Sequence, residues 1–265
     1  MNHPASWIRA LIWALVAVAL LPASPVAALE WPGREEEQLK QLRSGSSQER
    51  LVALKGLDGM PLERLRPLLL AALDDASIPV REEAARMAAD RRLQEALPVF
   101  TRWLSHWDTR HRVLAADSLA LLGSPAGIKV LVRVLGDPEQ KVRLAVIRAL
   151  GQLSSPSRQE VPALVRALDD SVASVRVAAV GALAAKKDGR AVIPLMSAMR
   201  DSSSDVRQAS ARALGTLGDA GAGPVLVTAL EDTSDGVVTV AMESLASLAY
   251  KPAVEPLIDL FHHGR

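Results

Sequence analysis

A short pattern, in which an aspartate is followed five residues later by a valine, recurs six times along this 265-residue chain. The copies lie about 31 residues apart. A fixed period of this length is typical of stacked repeat proteins, in which each repeat buries its apolar face against its neighbours. Such a chain forms an extended surface more readily than a closed pocket, so the period favours binding over catalysis.

Most copies of the pattern end with an arginine next to the valine. The complete copies begin and end at Asp75 and Arg81, Asp137 and Arg143, Asp170 and Arg176, and Asp201 and Arg207. Two further copies lack the arginine and run from Asp108 to Val113 and from Asp232 to Val237. A weaker copy near the start places Ser44 and Arg50 at the aspartate and arginine positions.

The repeat around Asp137 predicts a pair of helices. Apolar residues recur at helical spacing before Gly136, and Pro138 suits the first turn of a new helix. A second apolar stripe then begins at Val142 and ends at Leu150, with alanines inside it that let paired helices approach closely. The same order recurs along the chain. We therefore predict an all-α fold, an α-solenoid (superhelix) of about seven helix-pair repeats plus a final single helix.

The first 28 residues predict a secretory signal peptide. One basic residue, Arg9, precedes a wholly apolar segment from Ala10 to Leu21, and small residues lead up to Ala28. We expect cleavage after Ala28, with an uncleaved anchor as the alternative, and export to the periplasm or cell envelope of a bacterium. Residues 29–60 would then form an N-terminal capping repeat, and residues 61–265 the repeat array, continuous with the cap.

Composition argues against several classes of function. Beyond residue 28 the chain has 30 basic and 30 acidic residues, without a run of lysine and arginine, whereas nucleic-acid binding needs a concentrated positive face. Aromatic side chains are too few to form a series of stacking platforms. The chain has no cysteine, which excludes disulfides and cysteine-bound metals. We expect no cofactor, no metal, no nucleic-acid partner and no stable membrane insertion after cleavage.

The spacing between aspartate and arginine has a structural interpretation. The aspartate lies in the turn before the second helix, where its carboxylate can accept amide hydrogens. The arginine, one turn into that helix, can reach the same turn or the aspartate of the neighbouring repeat. These residues would form a ladder of charge-assisted hydrogen bonds. The alternative is a row of arginines that binds anions.

This pattern, followed by the Ala-Leu-Gly that ends the second helix at Ala149–Gly151, resembles the HEAT-like repeats of the phycobilin-lyase type. The resemblance covers roughly residues 35–262. It implies a solenoid of helix pairs. It implies little about function, because such repeats occur in scaffolds, in lyase subunits and in a few enzymes.

One segment departs from the repeat and concentrates aromatic and imidazole side chains: Trp103, His106, Trp107 and His111. The neighbouring second helices carry acids, Glu83 and Asp117, where small residues are usual. These six residues are a candidate ligand or cation pocket. The alternative is structural, with Trp103 packed in the core and His106, Arg110 and Arg112 facing water.

The surface that we expect to bind a partner is the concave face formed by the second helices. Positions two and five after the valine point away from the predicted buried stripe. In the middle repeats they are apolar, and arginines lie beside them, which gives the candidate surface Leu144, Ile147, Arg148, Val177, Val180 and Arg212. The alternative is that some of these side chains pack against the adjacent repeat.

We therefore predict a non-catalytic scaffold or adaptor, exported, that binds another protein or a peptide on this concave face. A second interpretation is an accessory or catalytic subunit, lyase- or oxidoreductase-like, with a site near the segment from Trp103 to His111. The oligomeric state and the identity of the partner are left open by the sequence.

Overall fold

The computed structural model describes residues 32–106, 108–155 and 158–263, so the predicted signal peptide and Trp107 lie outside the described residues. The chain divides into two compact units, residues 1–59 and 60–265. Every regular element in the described ranges is a helix. The predicted all-α fold is therefore confirmed.

The described part of the first unit is a single helix pair, α1 (Pro32–Ser44) and α2 (Ser47–Gly56), which pack against each other. A reciprocal cap begins α2: Ser46 Oγ accepts from Glu49 N at 3.3 Å, and Ser46 N donates to Glu49 Oε2 at 2.6 Å. Hydrogen bonds from Ser46 lower the pKa of the Glu49 carboxyl. Arg50 donates to the carbonyl of Gly45 at 2.8 Å, which fixes the turn between the two helices.

The second unit consists of six helix pairs and a final helix, which we number as pairs 1 to 6. The first helices of the pairs are α3 (Leu62–Ala72), α5 (Leu97–Trp103), α7 (Pro125–Arg133), α9 (Glu160–Arg166), α11 (Val192–Ala198) and α13 (Gly223–Thr228). The second helices are α4 (Ile78–Asp90), α6 (Thr109–Leu122), α8 (Gln140–Gln152), α10 (Ala173–Lys186), α12 (Ser204–Leu217) and α14 (Asp235–Ser247). The final helix is α15 (Val254–His263).

Neighbouring pairs in the second unit pack through their second helices. Each second helix contacts the second helix of the next pair, from α4 to α14. The valine of the pattern is fully buried in five of the six pairs: Val80, Val142, Val175, Val206 and Val237. Each repeat thus buries its apolar stripe against its own first helix and against its neighbours. This is the packing of a solenoid, and it confirms the predicted fold class.

Close approach between second helices depends on small residues. A Cβ atom on Gly215 of α12 would lie 2.7 Å from Ser244 Oγ and 3.0 Å from Ser244 Cα on α14. A larger residue at this position would push the two helices apart, because a backbone atom is among the contacts. The glycine therefore sets the spacing of pairs 5 and 6.

The final helix lacks a second helix within the described residues and leaves an apolar side uncovered. Val254, Ile258 and Phe261 are exposed, Phe261 to 85 %, whereas Leu257 is half-buried. None of the described helices combines the length and the apolar character that crossing a bilayer requires.

Candidate functional site

Arginines on the second helices join neighbouring pairs in a ladder. In each case Nε and Nη2 of the arginine donate to the two carboxylate oxygens of the aspartate in the next pair, at 2.7–3.0 Å. We call each such contact a rung. The four rungs are Arg112–Asp137, Arg143–Asp170, Arg176–Asp201 and Arg207–Asp232.

Each rung also fixes the turns on both sides of it. Arg176 Nη1 donates to the carbonyl of Asp170 in its own repeat at 2.7 Å. Asp201 Oδ1 accepts the amide of Ser203 at 2.8 Å, at the start of α12. The hydrogen bonds from Arg176 lower the pKa of the Asp201 carboxyl, and the same contact raises the pKa of Arg176. The arginines of the ladder are thus engaged in holding the stack together, as the structural interpretation expects.

The structure corrects the position of the pattern in pair 2. The sequence places Asp108 and Val113 at the aspartate and valine positions, but it is Arg112 that forms the rung to Asp137. Arg112 Nη1 donates to the carbonyl six residues earlier, that of His106, at 2.9 Å. His106 Nδ1 accepts the amide hydrogen of Asp108 at 3.1 Å. The aspartates of other pairs likewise accept the amide hydrogen of the residue two positions further along the chain.

Histidines therefore replace both key residues of the pattern in pair 2. His106 stands at the aspartate position, and His111, 5 % exposed, stands at the position of the buried valine. The predicted placement was wrong by two residues, because Asp108 and Val113 have the expected residue types and spacing by coincidence. Spacing from the arginine, six residues in every pair that has one, would have given the right position.

The first junction of the second unit consequently differs from the four rungs. Arg81 Nε and Nη2 lie 3.2 and 2.9 Å from His111 Nε2. On the other side of the ring, His111 Nδ1 lies 2.8 Å from Asp108 Oδ2. The rings of His106 and His111 stack with centroids 4.2 Å apart, and Trp103 meets His111 edge-on at 5.7 Å. We call Arg81, His106, Asp108 and His111 the histidine joint.

The predicted ligand pocket is brought together only in part. Trp103, His106 and His111 are in contact, but Glu83 pairs with Arg86 on its own helix, and Asp117 pairs with Arg148. Trp103 is buried in the core, as the structural alternative expects. Within the described ranges no group of three or more His, Cys, Asp or Glu side chains is placed to hold a metal ion.

A mainly apolar groove of about 370 Å³ lies between α8 and α10. Its walls include Leu144, Ile147 and Arg148 on α8 and Ala178 and Ala182 on α10. The groove is shallow where the helices are closest: a Cβ atom on Gly151 would lie 3.1 Å from Ala182 Cβ. Small side chains on α10 therefore leave room for apolar groups of a ligand or partner between the two helices.

The structure corrects two residues of the predicted binding surface. Ile147 and Val180 are each 1 % exposed, so they belong to the core and offer almost no surface to a partner, although Ile147 is among the residues that line the groove. A middle second helix packs against second helices on both sides, and its buried stripe is wider than an isolated helix pair would suggest. Leu144 and Val177 are half-buried, and Arg148 and Arg212 are exposed.

A row of charged side chains follows the second helices beside the groove. The row takes the sixth residue after the valine position of each pair. In chain order it is Arg86, Asp117, Arg148, Gly181, Arg212 and Glu243. Pair 4 alone has no charge there, and a Cβ atom on Gly181 would meet nothing within 4 Å. Sequence reasoning missed this row, although its spacing from the valine is constant.

The two arginines nearest to Gly181 retain hydrogen-bonding capacity. Arg148 Nη1 contacts Asp117 Oδ1 at 2.9 Å, which is a contact through one nitrogen and not the two-nitrogen contact of a rung. Burial raises the pKa of the Asp117 carboxyl, against the opposing effect of Arg148. The side chain of Arg212 has no hydrogen bond or ion pair to any described residue.

The groove continues at its far end into a polar cavity of about 450 Å³. Glu160, almost fully buried, accepts from Ser155 Oγ at 2.8 Å, and Lys186 donates to the carbonyl of Leu153. Arg158 belongs to a second cluster, in which it and Arg190 bind Asp188. Hydrogen bonds from Arg190 hold the pKa of the Asp188 carboxyl well below its usual range. These groups satisfy one another and stabilise the turn after α8.

Solved structures share the fold at low sequence identity. An engineered protein matches with a TM-score of 0.53 and 23 % identity, over 85 % of this chain and 71 % of that one. A chain of the complex of CpcE and CpcF of phycocyanin lyase from Nostoc sp. PCC7120 has 0.48 and 22 %, over 81 % and 94 %. YibA of E. coli has 0.49 and 18 %, over 81 % and 92 %.

No curated protein sequence matches the chain. The family model for HEAT repeats matches residues 97–184, 161–246 and 192–264, which together cover well over half of the sequence. This agrees with the helix pairs, the buried valines and the ladder, and with the resemblance noted in the sequence. The chain belongs to the HEAT-repeat family.

Proposed function

We propose that this HEAT-repeat protein is a non-catalytic scaffold that binds an amphipathic helix of another protein along its second helices. The observation that carries the proposal is the groove between α8 and α10, with Arg148 and Arg212 on either side of Gly181. The groove accommodates apolar side chains, Arg148 provides positive charge at its α8 side, and Arg212 provides it on α12, the next second helix beyond α10. A partner helix with an apolar centre and an acidic residue towards each end complements this surface.

The repeat spacing sets the length of the proposed partner segment. Packed helices lie about 8–10 Å apart, so Arg148 and Arg212, two pairs apart, are separated by roughly 16–20 Å. A helix rises 1.5 Å per residue, and this distance corresponds to about 11–13 residues of a helix that crosses the row. The acidic residues of the partner are therefore expected about three helical turns apart.

The charges of the site favour acidic groups over basic ones. Arg212 is exposed and has no partner among the described residues, and Arg148 offers further nitrogens beyond its contact with Asp117. An exposed pair contributes only about 0.2–1 kcal/mol, so the arginines select the partner more than they hold it. Most of the binding energy would come from apolar side chains in the groove.

We further propose that the protein acts outside the cytoplasm, in the periplasm or cell envelope of a bacterium. The support is the signal-peptide pattern in residues 1–28, which precedes the first described helix. Sequencing the amino terminus of protein recovered from a periplasmic fraction tests this directly. A chain that begins at Leu29 agrees with the proposal, and recovery only from the cytoplasm with Met1 intact contradicts it.

The second interpretation, a catalytic or accessory site at the histidine joint, is not favoured by the geometry. Both imidazoles have structural partners: His111 contacts Arg81 and Asp108, and His106 accepts the amide of Asp108. Glu83 and Asp117, the acids that such a site would use, form contacts elsewhere.

The binding proposal is tested with designed helical peptides and variants of Gly181. One labelled peptide has an apolar centre and two glutamates 11 positions apart, which places both on the same face of the helix, and a second has lysines in their place. In fluorescence anisotropy the glutamate peptide should bind about two- to thirtyfold more tightly, because two exposed charge pairs are each worth about 0.2–1 kcal/mol. The difference should shrink as salt is raised.

Gly181 offers a matched pair of variants. Every other pair carries a charged residue at this position, and the open space around Gly181 accommodates one. G181E should weaken binding of the glutamate peptide, and G181K should not. Both variants should be slightly more stable than the wild type, because a glycine inside a helix costs about 0.5–1 kcal/mol relative to alanine. Equal affinities for both peptides, or equal effects of both variants, would contradict the proposal.

A further inference from the structure

The junction between pairs 1 and 2 is held by an uncharged acceptor where the four rungs have a carboxylate. The guanidinium of Arg81 is always protonated, and both of its nitrogens that face His111 are donors. His111 Nε2, at 2.9 and 3.2 Å from them, must therefore carry a lone pair. The hydrogen of this neutral ring then lies on Nδ1, which donates to Asp108 Oδ2 at 2.8 Å.

The neighbouring histidine is also neutral by the same reasoning. His106 Nδ1 accepts the amide hydrogen of Asp108 at 3.1 Å, so this nitrogen has no hydrogen of its own. The two rings stack with centroids 4.2 Å apart. Two neutral imidazoles are thus packed face to face, between Arg81 on α4 and Arg112 on α6, whose Nη1 donates to the carbonyl of His106.

We propose that the histidine joint is a proton-sensitive junction, at which protonation of His106 in mild acid loosens the packing of α4 on α6. A proton on His111 Nε2 would face the donors of Arg81, and a proton on His106 Nδ1 would face the amide of Asp108. Either event replaces a hydrogen bond by a contact between two donors. The change falls in the range in which histidine titrates, at an ordinary pKa of about 6.5.

The charges around the joint favour the neutral rings. Arg81 faces them from α4 and Arg112 from α6, Trp103 on α5 adds an apolar face, and Asp108 is the acid in contact with them. Burial lowers the pKa of His106, and the charges of the two arginines act in the same direction, against Asp108. A histidine with a lowered pKa stabilises the fold above its ordinary pKa, and this contribution is lost as the pH falls through about 6.5 towards the folded value.

The rungs do not share this sensitivity. Their acceptors are carboxylates, and hydrogen bonds from arginine hold the pKa of Asp201 below its ordinary value. Hydrogen bonding to His111 likewise lowers the pKa of Asp108, so its carboxylate stays charged over the same range. Mild acid therefore acts on one junction of the second unit and leaves the junctions from α6 to α14 in place. The proposal does not depend on the partner or on the location of the protein.

Hydrogen exchange measured by mass spectrometry at pH 7.5 and 5.5 tests the proposal, with rates corrected for the intrinsic effect of pH. In the wild type, amides of α4 and α6 should lose protection at pH 5.5 by up to about tenfold, because pH 5.5 lies about one unit below the ordinary histidine pKa of about 6.5. Amides of α10 and α12 should keep theirs. The double variant H106D/H111V restores the residues of the other pairs and should show no such change.

Two controls separate titration from general destabilisation. H262Q removes an exposed histidine of α15 and should leave the response of α4 and α6 intact. H106N/H111Q keeps acceptor oxygens at the joint without a titrating group and should abolish the response. The proposal is overturned if wild-type α4 and α6 exchange equally at both pH values, or if both double variants retain the loss of protection.

Discussion

The ladder makes a quantitative prediction for Asp201, whose carboxylate accepts three hydrogen bonds. Arg176 Nε donates to Oδ2 at 2.7 Å, and Arg176 Nη2 and the Ser203 amide donate to Oδ1 at 2.7 and 2.8 Å. In D201N the amide oxygen can keep the two bonds at Oδ1, but the NH₂ group faces Arg176 Nε as a second donor. The variant thus loses one charge-assisted hydrogen bond and the negative charge, at a rung whose two side chains are 12 % exposed.

We expect D201N to lower the free energy of unfolding by about 2–3 kcal/mol, since a hydrogen bond to a charged group contributes about 1.5–3 kcal/mol. For a chain of this size the melting temperature should fall by about 5–10 °C. The matched control is D74N, because Asp74 pairs with Arg102 in the open, with side chains 64 % and 62 % exposed. An exposed pair contributes at most about 1 kcal/mol. Urea unfolding followed by circular dichroism measures both.

The same comparison has a pH dependence of known sign. The folded pKa of Asp201 is lowered, so its contribution is complete above the unfolded pKa of about 3.9 and is lost as the pH falls through the folded value. The stability gap between wild type and D201N should therefore be constant from pH 7 to 5 and close below pH 4. If D201N and D74N have equal, small effects at pH 7, the rungs do not hold the repeats together.

Three further predictions concern buried residues of the second helices and strained residues just after them. S210A should raise the free energy of unfolding by about 1 kcal/mol, because Ser210 Oγ is buried without a hydrogen-bond partner among the described residues, and urea titration should show the gain. S244A should lower it by about 1 kcal/mol in the same assay, because Ser244 Oγ donates to the carbonyl of Ala211 at 2.9 Å. A249G should raise the melting temperature, because Ala249 has a φ of 48° that costs a non-glycine residue about 1–2 kcal/mol; G218A, at a φ of 76°, should lower it.

The helix pairs and the ladder were predictable because their signals are local. The helical period, the turn at Gly136–Pro138 and the spacing from Asp170 to Arg176 all act within one repeat. The structure adds that the arginines of the four rungs each donate through two nitrogens to the aspartate of the next repeat, whereas Arg81 contacts His111.

Features that depend on contacts between repeats could not be derived in the same way. Ile147 and Val180 are buried by neighbouring second helices, and no pattern within one repeat contains that information. In pair 2, His106 and His111 occupy the positions that an aspartate and a valine occupy in the other pairs. A search by residue type therefore selected Asp108 in place of His106. The missing charge at Gly181 is recognised only when the second helices of neighbouring pairs are compared at the same position.

Site-specific photocrosslinking tests the proposed binding surface most directly. A photoreactive amino acid is placed at Ala178, on the wall of the groove, or at Ile193, which is 76 % exposed on the first helix of pair 5. With the glutamate peptide, and with protein partners in cell-envelope extracts, the probe at Ala178 should form adducts that map to an apolar helical segment, and the probe at Ile193 should form none. Adducts from Ile193 alone, or equal yields from both positions, would place binding on another face.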